Sequence, residues 1–179
     1  MVGFSRIAAV FLSYAAVVVA YDNTIYLIRH GEKPSDGSNG LSAQGEERAQ
    51  CLRNVFAAGS QYDIGYIMAQ AYKSDGSRER PYETVLPLAG DLGLTVDVSC
   101  DRDDSSCVEK AVKAYAGTSN SKSVLICWEH DELTDIADAL GVKNPPDYPS
   151  DSYNLIWTIQ DQKLVSDDTS EDCPGLDSD

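Results

Sequence analysis

Two spacings of apolar residues alternate along this chain. A short apolar run from Thr24 to Ile28 ends at Arg29-His30-Gly31. From Ser42 to Ala58 small and apolar residues return at helical spacing through Ala43, Ala49, Cys51 and Leu52, with Ser42 placed as the cap. Tyr66 to Ala69 predicts a second strand, and Arg80 to Leu92 a helix that tolerates Pro81 in its first turn and stops at Gly93. Thr95 to Val98 predicts a third strand and Cys107 to Tyr115 a helix. Ser123 to Trp128 then reads as a buried strand, Leu133 to Leu140 as a helix closed by Gly141, and Tyr153 to Ile159 as an alternating final strand.

Strands that alternate with helices through crossovers of about a dozen residues or more predict an α/β fold. The expected form is a three-layer sandwich: a largely parallel central sheet with helices on both faces. Ligands in such sheets bind beyond the carboxyl ends of the strands. One domain is expected over residues 21–166, followed by a mobile acidic tail from Asp167 to Asp179, apart from any bridge at Cys173. At the other end Arg6, the apolar stretch Ile7 to Val19 and the small residues up to Ala20 have the layout of a secretory signal over residues 1–20, cleaved after Ala20. That stretch is shorter than the roughly 20 residues a bilayer-spanning helix needs.

Charge narrows the partners. With 29 acidic against 14 basic residues the formal charge is −15, so nucleic acid and anionic membrane surfaces are repelled, and no stable membrane association is expected. An anionic substrate can still bind where a few cations converge at short range. Five cysteines in an exported chain suggest disulfides with at least one thiol left over. Cys100 and Cys107 flank a turn-rich segment, Cys51 and Cys173 are a second candidate pair, and Cys127 sits within apolar VLICW as a candidate free thiol. Connectivity stays open at this level, since sequence alone does not set it.

Only two histidines are present, and both fall at carboxyl ends of predicted strands: His30 after the first, His130 in Glu129-His130-Asp131 after Ser123 to Trp128. Both therefore reach one rim of the sheet. Arg29-His30-Gly31, the block Leu41 to Ala49 (LSAQGEERA), Arg80 four residues before Thr84 in RPYET, and His130 occur in the order and spacing that resemble the histidine phosphatase superfamily, also called phosphoglycerate mutase-like. The resemblance runs from about Thr24 to Ile159.

That resemblance implies a phosphoglycerate mutase-like fold and a phosphatase that needs no cofactor. His30 would be the nucleophile, attacking phosphorus to give a phosphohistidine. Arg29 and Arg80, with Lys33, would bind phosphate, because guanidinium groups match the charge spread over the phosphoryl oxygens. His130 would stabilise the phosphoryl group. Asp131 is the first candidate general acid, Glu32 the alternative, and Asp103 or Asp104 a third choice. Two departures stand out: Lys33 where the acid phosphatase branch has arginine, and Glu129 where many members have a small residue. Strand alternation predicts that Glu129 points away from the pocket.

These features predict a secreted, monomeric hydrolase with an open pocket for small phosphate monoesters. A weakened phosphate- or phosphopeptide-binding protein and a mutase-type phosphotransferase are the alternatives. No metal site is expected: Asp101, Asp103 and Asp104 lack the other ligands of a calcium loop, and two histidines committed to phosphate leave no zinc set.

Overall fold

A computed structural model describes residues 23–118 and 120–177. The leader expected at residues 1–20 lies outside them. The elements are β1 (Ile25–Arg29), α1 (Ala43–Val55), β2 (Ile64–Ala69), α2 (Arg80–Leu92), β3 (Val96–Asp97), α3 (Ser105–Ala116), β4 (Ser123–Trp128), α4 (His130–Ala139), β5 (Leu155–Gln160) and β6 (Lys163–Ser170). The six strands form one sheet in the order β3-β2-β4-β1-β5-β6. The pairings from β3 to β1 are parallel, and β5 and β6 add antiparallel.

Side-chain alternation sorts two cores onto the two faces. Leu27, Ile126 and Trp128 pack with Val108 and Val112 of α3 and Leu133 and Ile136 of α4. Ile28, Leu125 and Cys127 pack with Leu52 of α1 and Val85 and Leu88 of α2. The helices that follow β1 and β4 thus cover opposite faces although their strands are neighbours. A crevice opens between the carboxyl ends of two such strands.

Local signals act as expected at several ends. Ser42 Oγ accepts the Gly45 N–H at the start of α1, and Gly93 closes α2 with φ of 65°. α3 begins at Ser105, ahead of the expected Cys107, because Asp104 caps it by accepting the Cys107 N–H. The correction at α4 is larger. It begins at His130, with no loop between it and β4, and Glu129 is its extended N-terminal cap residue.

The tail from Asp167 is corrected too. Residues 163–170 form β6, turned from β5 through Asp161 and Gln162 at φ of 49° and 60°. As an edge strand with no fully buried side chain, β6 carries no strong apolar alternation. Beyond it Glu171 is buried, Cys173 is bonded to Cys51 of α1, and Asp177 accepts from Arg48. Cys100 and Cys107 form the second disulfide, and Cys127 is a buried free thiol. Among the described residues no helix is long and apolar enough to cross a membrane.

Candidate functional site

β1 and β4 pair in register, ending with Arg29 opposite Trp128, and the His30 N–H extends the ladder to Trp128 O at 3.1 Å. One step further, His30 and Glu129 leave the sheet side by side. Alternation puts both on the face of Ile28 and Cys127, opposite Trp128. The expectation that Glu129 points away therefore fails: the face it takes is that of His30. His130, already helical, has left the strand alternation and returns to the same place.

The result is a chain of contacts around one carboxylate. His30 Nε2 lies 3.1 Å from Glu129 Oε2, and His130 Nδ1 lies 2.9 Å from Glu129 Oε1. His130 Nε2 is 3.1 Å from Asp131 Oδ1. Burial would push the Glu129 carboxyl up, but the two imidazoles outweigh it and hold it at about 2. The Glu129 N–H donates to Gln70 Oε1 at 3.1 Å, so buried Gln70, at the end of β2, steadies the turn into α4.

His30 is 1% exposed, and its Nδ1 is 2.6 Å from Gly31 O. A carbonyl only accepts, so Nδ1 carries the proton and Nε2 is the nitrogen presented to the rim. Gly31 is held by α1: a Cβ there would meet Gly45 O at 2.9 Å. Its glycine requirement is thus a backbone-to-helix contact. The Gly31 N–H donates to Thr84 Oγ1, which itself donates to Arg80 O, tying the first motif to α2.

The remaining predicted residues are placed as follows. Arg29 Nη1 donates to the carbonyls of Ser150 and Ser152 at 2.8 and 2.7 Å, its guanidinium lies 3.7 Å from the Tyr153 ring centre, and its buried Nε has no partner among the described residues. Tyr153 also stands edge-on to His30, with centres 6.1 Å apart. Arg80 donates to Gly40 O and Ser38 O at 2.8 and 2.9 Å, so it holds the loop that leads into α1. Each arginine thus uses two N–H contacts of its five donors on backbone carbonyls. Lys33 and Asp131 are exposed, Asp131 in the first turn of α4. Asp103 pairs with Arg102 at 2.6 Å, and Asp104 is occupied as the α3 cap.

Glu32 is corrected as an acid. Both its oxygens accept from Arg48, at 2.8 to 3.1 Å, inside a buried cluster that also holds Glu171 and Asp177. Its partner is thus Arg48 and, among the described residues, neither histidine. Sequence reading missed Gln70 and Tyr153, and it singled out Glu129 as an unusual acidic residue but turned it away from the site. Ligand atoms of Glu129, His130 and Asp131 lie within 4.8 Å of one another, with the two His130 nitrogens facing the two carboxylates.

No family model and no curated protein matches the chain. Its fold is shared with several solved structures. A proposed alpha-ribazole-5'-P phosphatase from Escherichia coli K-12 matches with TM-score 0.55 and 16% identity, over 84% of this chain and 98% of that one. The alpha-ribazole phosphatase from Shigella flexneri matches with TM-score 0.54 and 16% identity, over 82% and 96%. The Rv3214 product of Mycobacterium tuberculosis matches with 0.53 and 14%, over 83% and 98%.

Proposed function

We propose that the chain is a secreted phosphatase that hydrolyses small phosphate monoesters through a phosphohistidine at His30. One observation carries this reading: His30, with Nδ1 committed to Gly31 O, and His130 meet at the carboxyl ends of adjacent parallel strands, where Nε2 of one and Nδ1 of the other flank the Glu129 carboxylate. The fold it shares with phosphatases of other organisms supports it.

In this reading the phosphoryl group enters between the two imidazoles. His30 Nε2 attacks phosphorus, and His130 donates to a phosphoryl oxygen. Arg29, anchored by the Ser150 and Ser152 carbonyls and by Tyr153, and Arg80, anchored by Ser38 and Gly40, turn their remaining N–H groups to the other oxygens. Lys33 adds a mobile charge at the edge. Export fits the two disulfides and the leader-like first 20 residues. The monomeric state and avoidance of nucleic acid follow from the strong negative charge.

The test is to quench the purified protein with labelled phosphate ester and locate the label. Acid-labile label on His30, lost in His30→Ala, supports the reading, as does turnover of a chromogenic ester in chelator. A second reading, a phosphate-binding protein with little turnover, is motivated by Lys33 and Glu129, the two positions where the chain departs from the catalytic pattern. Phosphate binding by calorimetry with no trapped label would select it.

A further inference from the structure

The carboxylate that touches the nucleophile belongs to Glu129. Asp131, the acid named by resemblance, touches only His130, and its side chain is 67% exposed. Glu32 is tied to Arg48. We infer that Glu129 is the proton carrier of the reaction: it takes the Nε2 proton from His30 as substrate docks and delivers it to the departing ester oxygen. The inference rests on the phosphatase reading above and deepens it.

Hydrogen-bond polarity leads to this role. His30 Nδ1 must donate to Gly31 O, because the carbonyl can only accept. The 3.1 Å contact between Nε2 and Glu129 Oε2 is then a hydrogen bond with one proton shared between them, carried by Nε2 or by the carboxyl. While that proton sits on Nε2, the nitrogen has no lone pair for phosphorus. Proton and phosphorus compete for one position, and the group in contact with that proton is Glu129.

The steps balance. As the phosphoryl group displaces Glu129 from between the imidazoles, the carboxyl loses the contacts that hold it low; the Nε2–H bond breaks and the proton joins Glu129, leaving a lone pair on Nε2. That pair forms the N–P bond as the P–O bond to the alcohol breaks, and the alcohol oxygen takes the proton from Glu129. In the second half Glu129 removes a proton from the water that attacks phosphorus, and the N–P bond returns its electron pair to His30. Transfer of that proton back to Nε2 restores the starting state. A glutamate has enough rotatable bonds to withdraw from Nε2 as the phosphoryl group enters, while its backbone stays fixed by Gln70. The charged and titratable groups facing Glu129 are His30 just after β1, His130 from α4 and, at longer range, the Cys127 thiol of β4 and Arg102 from the segment before α3.

The experiment compares two esters on the wild type, Glu129→Gln, Glu129→Asp and Asp131→Asn. p-Nitrophenyl phosphate has a leaving group that needs no proton; an alkyl phosphate such as glycerol phosphate has one that does. With Glu129→Gln, kcat on the alkyl ester is expected to fall by about 10²- to 10³-fold, and phosphorylation by the aryl ester by about tenfold or less. Phosphoenzyme should accumulate from the aryl ester, because water lacks its base. Asp131→Asn should change the alkyl-to-aryl ratio by less than about threefold. Glu129→Asp, which keeps the acid and shortens its reach, should lose more on the alkyl ester than on the aryl one, and it serves if the glutamine variant does not fold. Equal losses on both esters would show a merely structural role and overturn the inference, as would an alkyl-specific loss in Asp131→Asn alone. A wild type that forms no phosphoenzyme with either ester overturns the phosphatase reading itself, and this inference with it.

Discussion

Two residues apart on one strand end, His30 and Glu32 enter two buried charge clusters of opposite composition. Around Glu129, one carboxylate faces two imidazoles. Around Arg48, one guanidinium faces the carboxylates of Glu32, Glu171 and Asp177. Access at the shared central group separates them: Glu129 is 22% exposed, between His130 at 14% and His30 at 1%, whereas Arg48 is 1% exposed, among Glu171 at 0%, Glu32 at 11% and Asp177 at 15%. A centre that exchanges protons and phosphoryl groups with solvent must keep an open edge; a staple that ties β6 and the following residues to α1 works best sealed. A group is thus assigned to chemistry or to architecture less by its type than by whether its cluster opens to the rim.

Breaking the two clusters should separate activity from stability. The largest effect is expected in His30→Ala, with turnover falling on the order of 10⁴-fold or more and the unfolding midpoint nearly unchanged. Steady-state kinetics beside thermal melting checks both halves. Arg48→Met should do the converse. It strands several buried carboxylates and should cost about 3–5 kcal/mol in urea unfolding, while the folded fraction keeps kcat within about tenfold. His130→Ala removes one donor from the oxyanion and should lower kcat by about 10²- to 10³-fold, again with little loss of stability. Cutting the Cys51–Cys173 bridge by paired serine substitution should cost about 2–4 kcal/mol and release the end of the chain to proteolysis before activity declines.

The smallest effect sharpens the comparison most, because the clusters titrate in opposite directions. Glu129 is held at about 2, below its ordinary value of 4.5, so it contributes stability at neutral pH that is lost as pH falls toward 2. Glu171 is wholly buried, and burial pushes it up to about 8 despite Arg48, since three carboxylates share one cation. Its contribution is complete below 4.5 and is lost as pH rises through about 8. Melting curves should therefore show Glu129→Gln flattening the acid limb and Glu171→Gln the alkaline one. A single limb responding to both would mean that the clusters are coupled through the Gly31 backbone.

Much of the plan was legible in the chain itself. Arg80 to Leu92 was read to the residue, Ser42 and Gly93 acted as caps, and both histidines fell at strand ends on one rim. These depend on neighbours within a few residues, where spacing, capping and glycine leave a direct trace. The disulfide candidates also matched, since few partners were available. What the tertiary structure alone decided was register and closure. Whether Glu129 lies beside His30 depends on how β1 and β4 align across about a hundred residues of sequence, and no local pattern encodes that offset. Likewise β6 has too few buried side chains to announce itself as a strand, and the acidic residues beyond it become structural only because Arg48 of α1 is there to receive them. Local periodicity belongs to the sequence; which buried charge meets which partner belongs to the fold.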